Sequence, residues 1–197
     1  RIGIIGDPHF RDIRGYADCV EDGRESEERE VLDFVVDSLK DCEAVVMMGD
    51  QFDSRHPSTK TVKKFVSFLE RFDGKEVFLI TGNHDKFGDG RSTMDFLGEV
   101  KNKTWHVIRS HVETFLRDGK YLTFVPYVMG PEIFSEEITG WPAANEKLLK
   151  EILGFNESPS ADRVLFAHHA ISGTFANGIS TDLFEEIVLD QEQLLTR

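Results

Sequence analysis

In the stretch Ala44-Val45-Val46-Met47-Met48-Gly49-Asp50-Gln51-Phe52-Asp53, five apolar residues run straight into a Gly-Asp pair and a second carboxylate. An unbroken apolar run of this length, stopped by glycine, matches a strand buried on both faces, as the strands of parallel sheets are. Three other runs end the same way. Residues 2–5 lead into Gly6-Asp7-Pro8-His9, residues 77–80 into Thr81-Gly82-Asn83-His84-Asp85, and residues 164–167 into His168-His169. Side chains at the carboxyl ends of neighbouring parallel strands share one rim, where open α/β sheets place their sites. Carboxylate, imidazole and amide oxygen meeting on such a rim suit a pair of divalent cations, and with them metal-assisted hydrolysis.

The rest of the chain is compatible with one α/β domain. It has 197 residues, 40% of them hydrophobic, including 16 Phe, enough for a single sizeable core. No stretch approaches the roughly 18 apolar residues of a membrane-spanning helix, and no basic-then-apolar signal opens the sequence. A cytoplasmic protein without membrane attachment is the expectation. Cys19 and Cys42 lie away from the four clusters with no metal-type spacing, consistent with inert thiols in a reducing compartment.

The net charge of −13 argues against nucleic-acid binding driven by total charge alone. The charge is unevenly spread. Residues 1–54 hold 6 Lys/Arg against 15 Asp/Glu, residues 55–109 hold 11 against 7, and residues 110–197 hold 6 against 14. The basic middle third is where a polyanion would touch, with Arg55 and Lys86 as the expected substrate-binding residues. The plain alternative for these cations is the solvated faces of surface helices.

Apolar spacing predicts a helix over 26–40, carried by Val31, Leu32, Val35, Val36 and Leu39. A second is predicted over 60–72, capped by Ser58 or Thr59. Its face of Val62, Phe65, Val66, Phe68, Leu69 and Phe72 is wider than one sheet requires, and is a candidate surface for a homodimer. A short helix is expected over 93–97. From residue 104 the texture becomes hairpin-like, in segments 104–108, 111–116 and 121–127, with Asp118-Gly119 as the last turn. A helix over 144–153, a strand over 163–167 and an acidic amphipathic element over 183–195 complete the chain.

Asp7 and His9, two residues apart, can share a face and reach one cation. Gly49 allows close backbone approach, and Asp50 can bridge two cations through its two oxygens. Asn83 offers a hard neutral oxygen, which leaves His84 pointing into the cleft. His168 comes first after its strand and is the expected ligand, with His169 as the alternative. Each cluster alone reads equally as a turn or a loop histidine. Their joint occurrence, each closing a separate apolar strand in order, is what carries the argument.

The pattern resembles the calcineurin-like metallophosphoesterase superfamily, whose strand-end blocks run Asp-x-His, Gly-Asp-x-x-Asp, Gly-Asn-His-Asp/Glu, His and Gly-His-x-His. Within it, Gly49-Asp50-Gln51-Phe52-Asp53-Ser54-Arg55-His56-Pro57-Ser58, Phe124-Val125-Pro126-Tyr127 and His168-His169-Ala170-Ile171-Ser172-Gly173 are similar to SbcD-type DNA exonuclease and phage recombination endonuclease subunits. The resemblance implies a four-layer α-β-β-α sandwich. It implies Asp7, His9 and Asp50 on one metal and Asp50, Asn83 and His168 on the other, with Mn2+ or alternatively Mg2+ as the ion. It implies catalytic roles for His84, as orienter of phosphate and donor to the leaving oxygen, and for Asp53, behind a ligand imidazole. The activity implied is DNA phosphodiester hydrolysis, with an SbcC-type ATPase as partner. The Gly-His-x-His block does not occur in the sequence, so residues 1–197 are expected to be a nuclease domain incomplete at its C-terminus, without capping and partner-binding regions. Two other functions share these residues: a phosphomonoesterase or cyclic-nucleotide phosphodiesterase, and a non-catalytic scaffold of the same fold.

Overall fold

The computed structural model describes residues 1–12, 23–87, 89, 91–100, 104–109, 112–135, 138–154, 163–171, 175–176, 179–180 and 188–189. Its strands are β1 (Ile2–Ile5), β2 (Ala44–Met47), β3 (Glu76–Ile80), β4 (Trp105–Ile108), β5 (Glu113–Arg117), β6 (Lys120–Val125) and β7 (Arg163–Ala167). Four two-residue strands follow: β8 (Ala170–Ile171), β9 (Phe175–Ala176), β10 (Ile179–Ser180) and β11 (Val188–Leu189). The helices are α1 (Gly23–Ser38), α2 (Thr59–Glu70), α3 (Gly130–Ile133) and α4 (Trp141–Gly154), with a 3-10 turn at Asp95–Glu99. That turn is shifted two residues toward the C-terminus from the expected short helix over 93–97. The predicted element over 183–195 lies outside the described residues except for β11, which pairs with β8 in parallel.

The strands β1-β2-β3-β4 form a fully parallel sheet, in that order. The hairpin-like reading of residues 104–108 is therefore corrected: β4 pairs with β3, Val77 beside Trp105 and Ile80 beside Ile108. Four alternating residues fit either arrangement, and only the long-range partner decides. The second sheet has the order β5-β6-β7. The β5–β6 hairpin turns at Asp118-Gly119, both with positive φ (50° and 77°), the turn geometry that matches strand twist. β7 joins β6 in parallel.

Three apolar layers hold four structural layers together. One side of the first sheet (Val45, Met47, Val77, Leu79) packs under α2 through Phe65, Phe68 and Leu69, with Leu32, Val35, Val36 and Leu39 of α1 alongside. Its other side meets the second sheet through Val46, Phe78, Ile80, Leu122, Phe124 and Phe166. Phe78, Phe124 and Phe166 stack in sequence at 4.5 and 5.1 Å between centroids. The far face of the second sheet, with Val125 and Ala167, carries α4 through Ala144, Leu148 and Ile152. This is the expected α-β-β-α sandwich, and it brings the ends of β1, β2, β3 and β7 to one rim.

The wide apolar face of α2 is used within the chain. Phe65, Phe68 and Leu69, with Phe72 just beyond the helix, are buried, and Val62 and Val66 pack on the same core. Ser58 accepts the Thr61 N–H at 3.1 Å and is the cap.

Candidate metal centre

Two loops at the rim are bound to each other through one carboxylate. Asp85, fully buried, accepts from the backbone N–H groups of Gln51 (3.1 Å) and Gly82 (3.0 Å) on Oδ2 and of Phe52 (3.1 Å) on Oδ1. Burial pushes its carboxyl up to about 6, against the pull of those three donors. Asp50 in turn accepts the His84 N–H on Oδ1 at 2.9 Å. The loop after β1 joins the same framework: His9 donates its N–H to the Asp50 carbonyl (3.0 Å) and Phe10 donates to that of Gln51 (2.8 Å). His9 (φ 45°) and Asp50 (φ 47°) both sit in the left-handed region, strain that the surrounding bonds hold in place.

The glycines permit this closeness. A Cβ on Gly49, whose φ is +116°, would lie 2.1 Å from His168 Nδ1, and one on Gly82 would lie 2.1 Å from Asp50 Oδ1. Only hydrogen fits at either place.

The donor atoms face one another as cation ligands do. His168 Nδ1 lies 2.7 Å from the Met48 carbonyl. A carbonyl only accepts, so Nδ1 carries a proton, and the metal-binding form of the ring is the tautomer with its lone pair outward on Nε2. That atom lies 3.3 Å from Asn83 Oδ1 and 3.6 Å from Asp50 Oδ1. In that tautomer the three atoms are all acceptors, an arrangement a cation would stabilise, and a histidine whose other nitrogen donates to a carbonyl is the usual form of a metal ligand. Asp7 Oδ1 lies 3.5 Å from the same ring, on its Nδ1 side. On the other side, His9, Asp50 and His84 each offer a ligand atom within 4.8 Å of the others, and His9 Nε2 is 3.8 Å from Asp50 Oδ2. His9 Nδ1 is buried without a hydrogen-bond partner and lies 3.7 Å from Asp53 Oδ1. The donor set of carboxylate, imidazole and amide oxygen fits divalent cations.

A family model for calcineurin-like phosphoesterases matches residues 1–194. The chain belongs to that family. Members hydrolyse phosphoric esters with divalent metals, and the rim described above is where this chain can hold them. No curated protein matches the chain. Among solved structures, the crystal structure of AQ665 from Aquifex aeolicus, a protein of unknown function, is similar at 14% identity and a TM-score of 0.42, covering 96% of this chain and 88% of its own. Among the described residues, no helix is long and apolar enough to cross a membrane.

Of the residues expected at the phosphoesterase site, Asp7, His9, Asp50, Asn83, His84 and His168 come together. His169 is turned aside: its Nε2 lies 2.7 Å from the Pro126 carbonyl and its ring stacks on Tyr127 at 5.5 Å. A cleft of about 370 Å³ opens between Asp7, Asn83, Tyr127, His168 and His169. Asp53 is half-exposed, and its backbone carbonyl accepts from His84 Nδ1 at 3.0 Å while its carboxylate faces His9 and Arg11. Arg55 is exposed on the loop that follows. Lys86 does not offer its ammonium to the cleft. Its side chain is 1% exposed and is bound by both oxygens of Glu132, at 2.8 and 2.9 Å.

Sequence reasoning assigned no role to Asp85, although its carboxylate ties the β2 and β3 loops together. Its one visible signal was an acidic residue directly after Gly82-Asn83-His84. Tyr127, on the cleft wall, stood only as the last residue of the Phe124-Val125-Pro126-Tyr127 run, with no role assigned.

Proposed function

We propose that this phosphoesterase hydrolyses DNA phosphodiesters with two divalent cations, manganese by preference. The observation that carries the two-cation part is the meeting of His168 Nε2, Asn83 Oδ1 and Asp50 Oδ1 beside the cluster of His9, Asp50 and His84. Asp7, His9 and Asp50 would hold one ion, and Asp50, Asn83 and His168 the other. When bound, such a pair supplies Lewis acidity that activates water and offsets charge on the phosphoryl oxygens.

The chain's own groups do the rest. The Asp53 carbonyl fixes the His84 ring through Nδ1–H, leaving Nε2 as the nitrogen that acts on substrate. As an imidazolium, His84 gives its Nε2 proton to the departing sugar oxygen. Asp53 supports this as a positioning residue, through its carbonyl on His84 and its carboxylate near His9. No Ser or Cys nucleophile is needed. DNA as substrate rests on the Gly49-to-Ser58 sequence and on exposed Ser54, Arg55 and His56, which directly follow Asp53, whose carbonyl meets His84. Association with an SbcC-type ATPase belongs to the same reading.

A second reading, small phosphoesters, is favoured by the fate of the basic middle third. Lys60 pairs with Glu25, Lys64 with Glu28, Arg71 with Asp33, Arg91 with Asp89, Arg109 with Asp95 and Lys86 with Glu132. Cations spent on internal carboxylates do little to attract a polyanion. Plasmid DNA and p-nitrophenyl phosphate, each incubated with the protein and Mn2+, separate the two. Nicked or degraded plasmid at a rate above that of the small ester supports DNA. Turnover of the small ester alone overturns it.

A further inference from the structure

The segment after β6 runs between the two halves of the rim. Tyr127 donates its N–H to the Thr81 carbonyl at 2.8 Å, directly before the Gly82-Asn83-His84 loop. His168 donates its N–H to the Val125 carbonyl at 3.1 Å, and His169 is bound to the Pro126 carbonyl. The far end of the segment is anchored by Glu132, whose carboxylate accepts from the Met129 N–H at 2.7 Å and holds Lys86 at 2.8 and 2.9 Å. Lys86 follows His84 by two residues and has 1% of its side chain exposed, Glu132 11%. A buried ion pair that joins two loops contributes little net stability compared with apolar residues of the same volume. It does fix where the loops sit.

We infer that Lys86 and Glu132 are positioning residues for the metal centre: their ion pair holds the Asn83 loop at the distance from His168 that one of the two cations requires. This rests on the two-cation reading above. The loop that Lys86 holds carries Asn83, which faces His168 directly, and His84, whose N–H binds Asp50. Loss of the pair should therefore weaken the ion between Asn83 and His168 more than the other.

The test is Mn2+ binding by titration calorimetry, with thermal unfolding followed in parallel, on the parent chain and on Lys86→Met/Glu132→Leu. The expected result is an unfolding midpoint close to the parent's with about a tenfold loss of affinity for one ion, the usual scale for residues that orient metal ligands, and a smaller loss for the other. Unchanged affinity for both ions overturns the inference and leaves the hydrolase reading intact. Equal loss at both overturns it too, since the pair would then be a general support of the fold. Should the double variant fail to fold, Glu132→Asp retains the charge and pulls Lys86 back by one methylene. A smaller but still unequal loss is expected there, and no loss counts against the inference. A parent chain that binds fewer than two ions overturns both this inference and the two-cation reading.

Discussion

Replacing Gly49 with alanine tests whether the rim depends on backbone closeness. The added Cβ would sit 2.1 Å from His168 Nδ1 and 2.5 Å from Cγ, where ordinary contact needs at least 3.4 Å, so the ring must retreat by about 1.3 Å. His168 then loses its 2.7 Å contact with the Met48 carbonyl, worth about 1 kcal/mol net. The φ of +116° adds about 1–2 kcal/mol of strain for any residue with a side chain. Together these destabilise the fold by roughly 2–3 kcal/mol, a fall in unfolding midpoint of about 4–12 °C for a chain of this size. The displaced ring should also lower Mn2+ affinity by about 10- to 100-fold. Circular-dichroism melts and calorimetric Mn2+ titration measure the two effects. A Gly49→Ala protein that melts and binds Mn2+ like the parent refutes the reasoning.

His84→Ala should lower phosphoester cleavage by about 10²- to 10⁴-fold while leaving Mn2+ binding largely intact; equal loss of both would make His84 a ligand or a structural residue. Asp85→Asn places an NH2 donor against at least one backbone N–H that now meets an oxygen, and should cost about 2–4 kcal/mol in urea unfolding, with Mn2+ affinity reduced as the two loops part. His106 stacks on Phe78 at 4.7 Å, and burial lowers its pKa despite the opposing charge of Glu113. The unfolded chain therefore takes up the proton first. Its contribution to stability is present above about pH 6.5 and is lost as pH falls through the depressed folded value. His106→Leu should lose less stability than the parent between pH 7 and pH 5, and parallel pH profiles would argue against a neutral, half-buried His106.

The strand-end clusters were legible because each apolar run is local and stops at its cluster, whether buried on both faces as in β2 and β3 or partly exposed as at Ile4 of β1 and Val164 and Leu165 of β7, so that all four deliver their terminal residues to one rim. Register within the sandwich was less legible. Residues 105–108 alternate like a hairpin arm, but their partner β3 lies across a connection that has no local signal. The apolar face of α2 was visible, and its use was not, since only the packed structure shows α1 and the first sheet consuming it. Lys86 looked like a surface cation because its neutralising carboxylate, Glu132, is 46 residues away. Asp85 was in plain sight, but its three backbone donors come from two loops that meet only on folding.

Crystals grown with Mn2+ and measured for anomalous scattering test the metal centre most directly. Two peaks are predicted, one among Asp7, His9 and Asp50 and one among Asp50, Asn83 and His168, with the Asp50 carboxylate between them. Absence of density at the rim, or an ion on Asp50 that reaches neither Asn83 nor His168, would contradict the account.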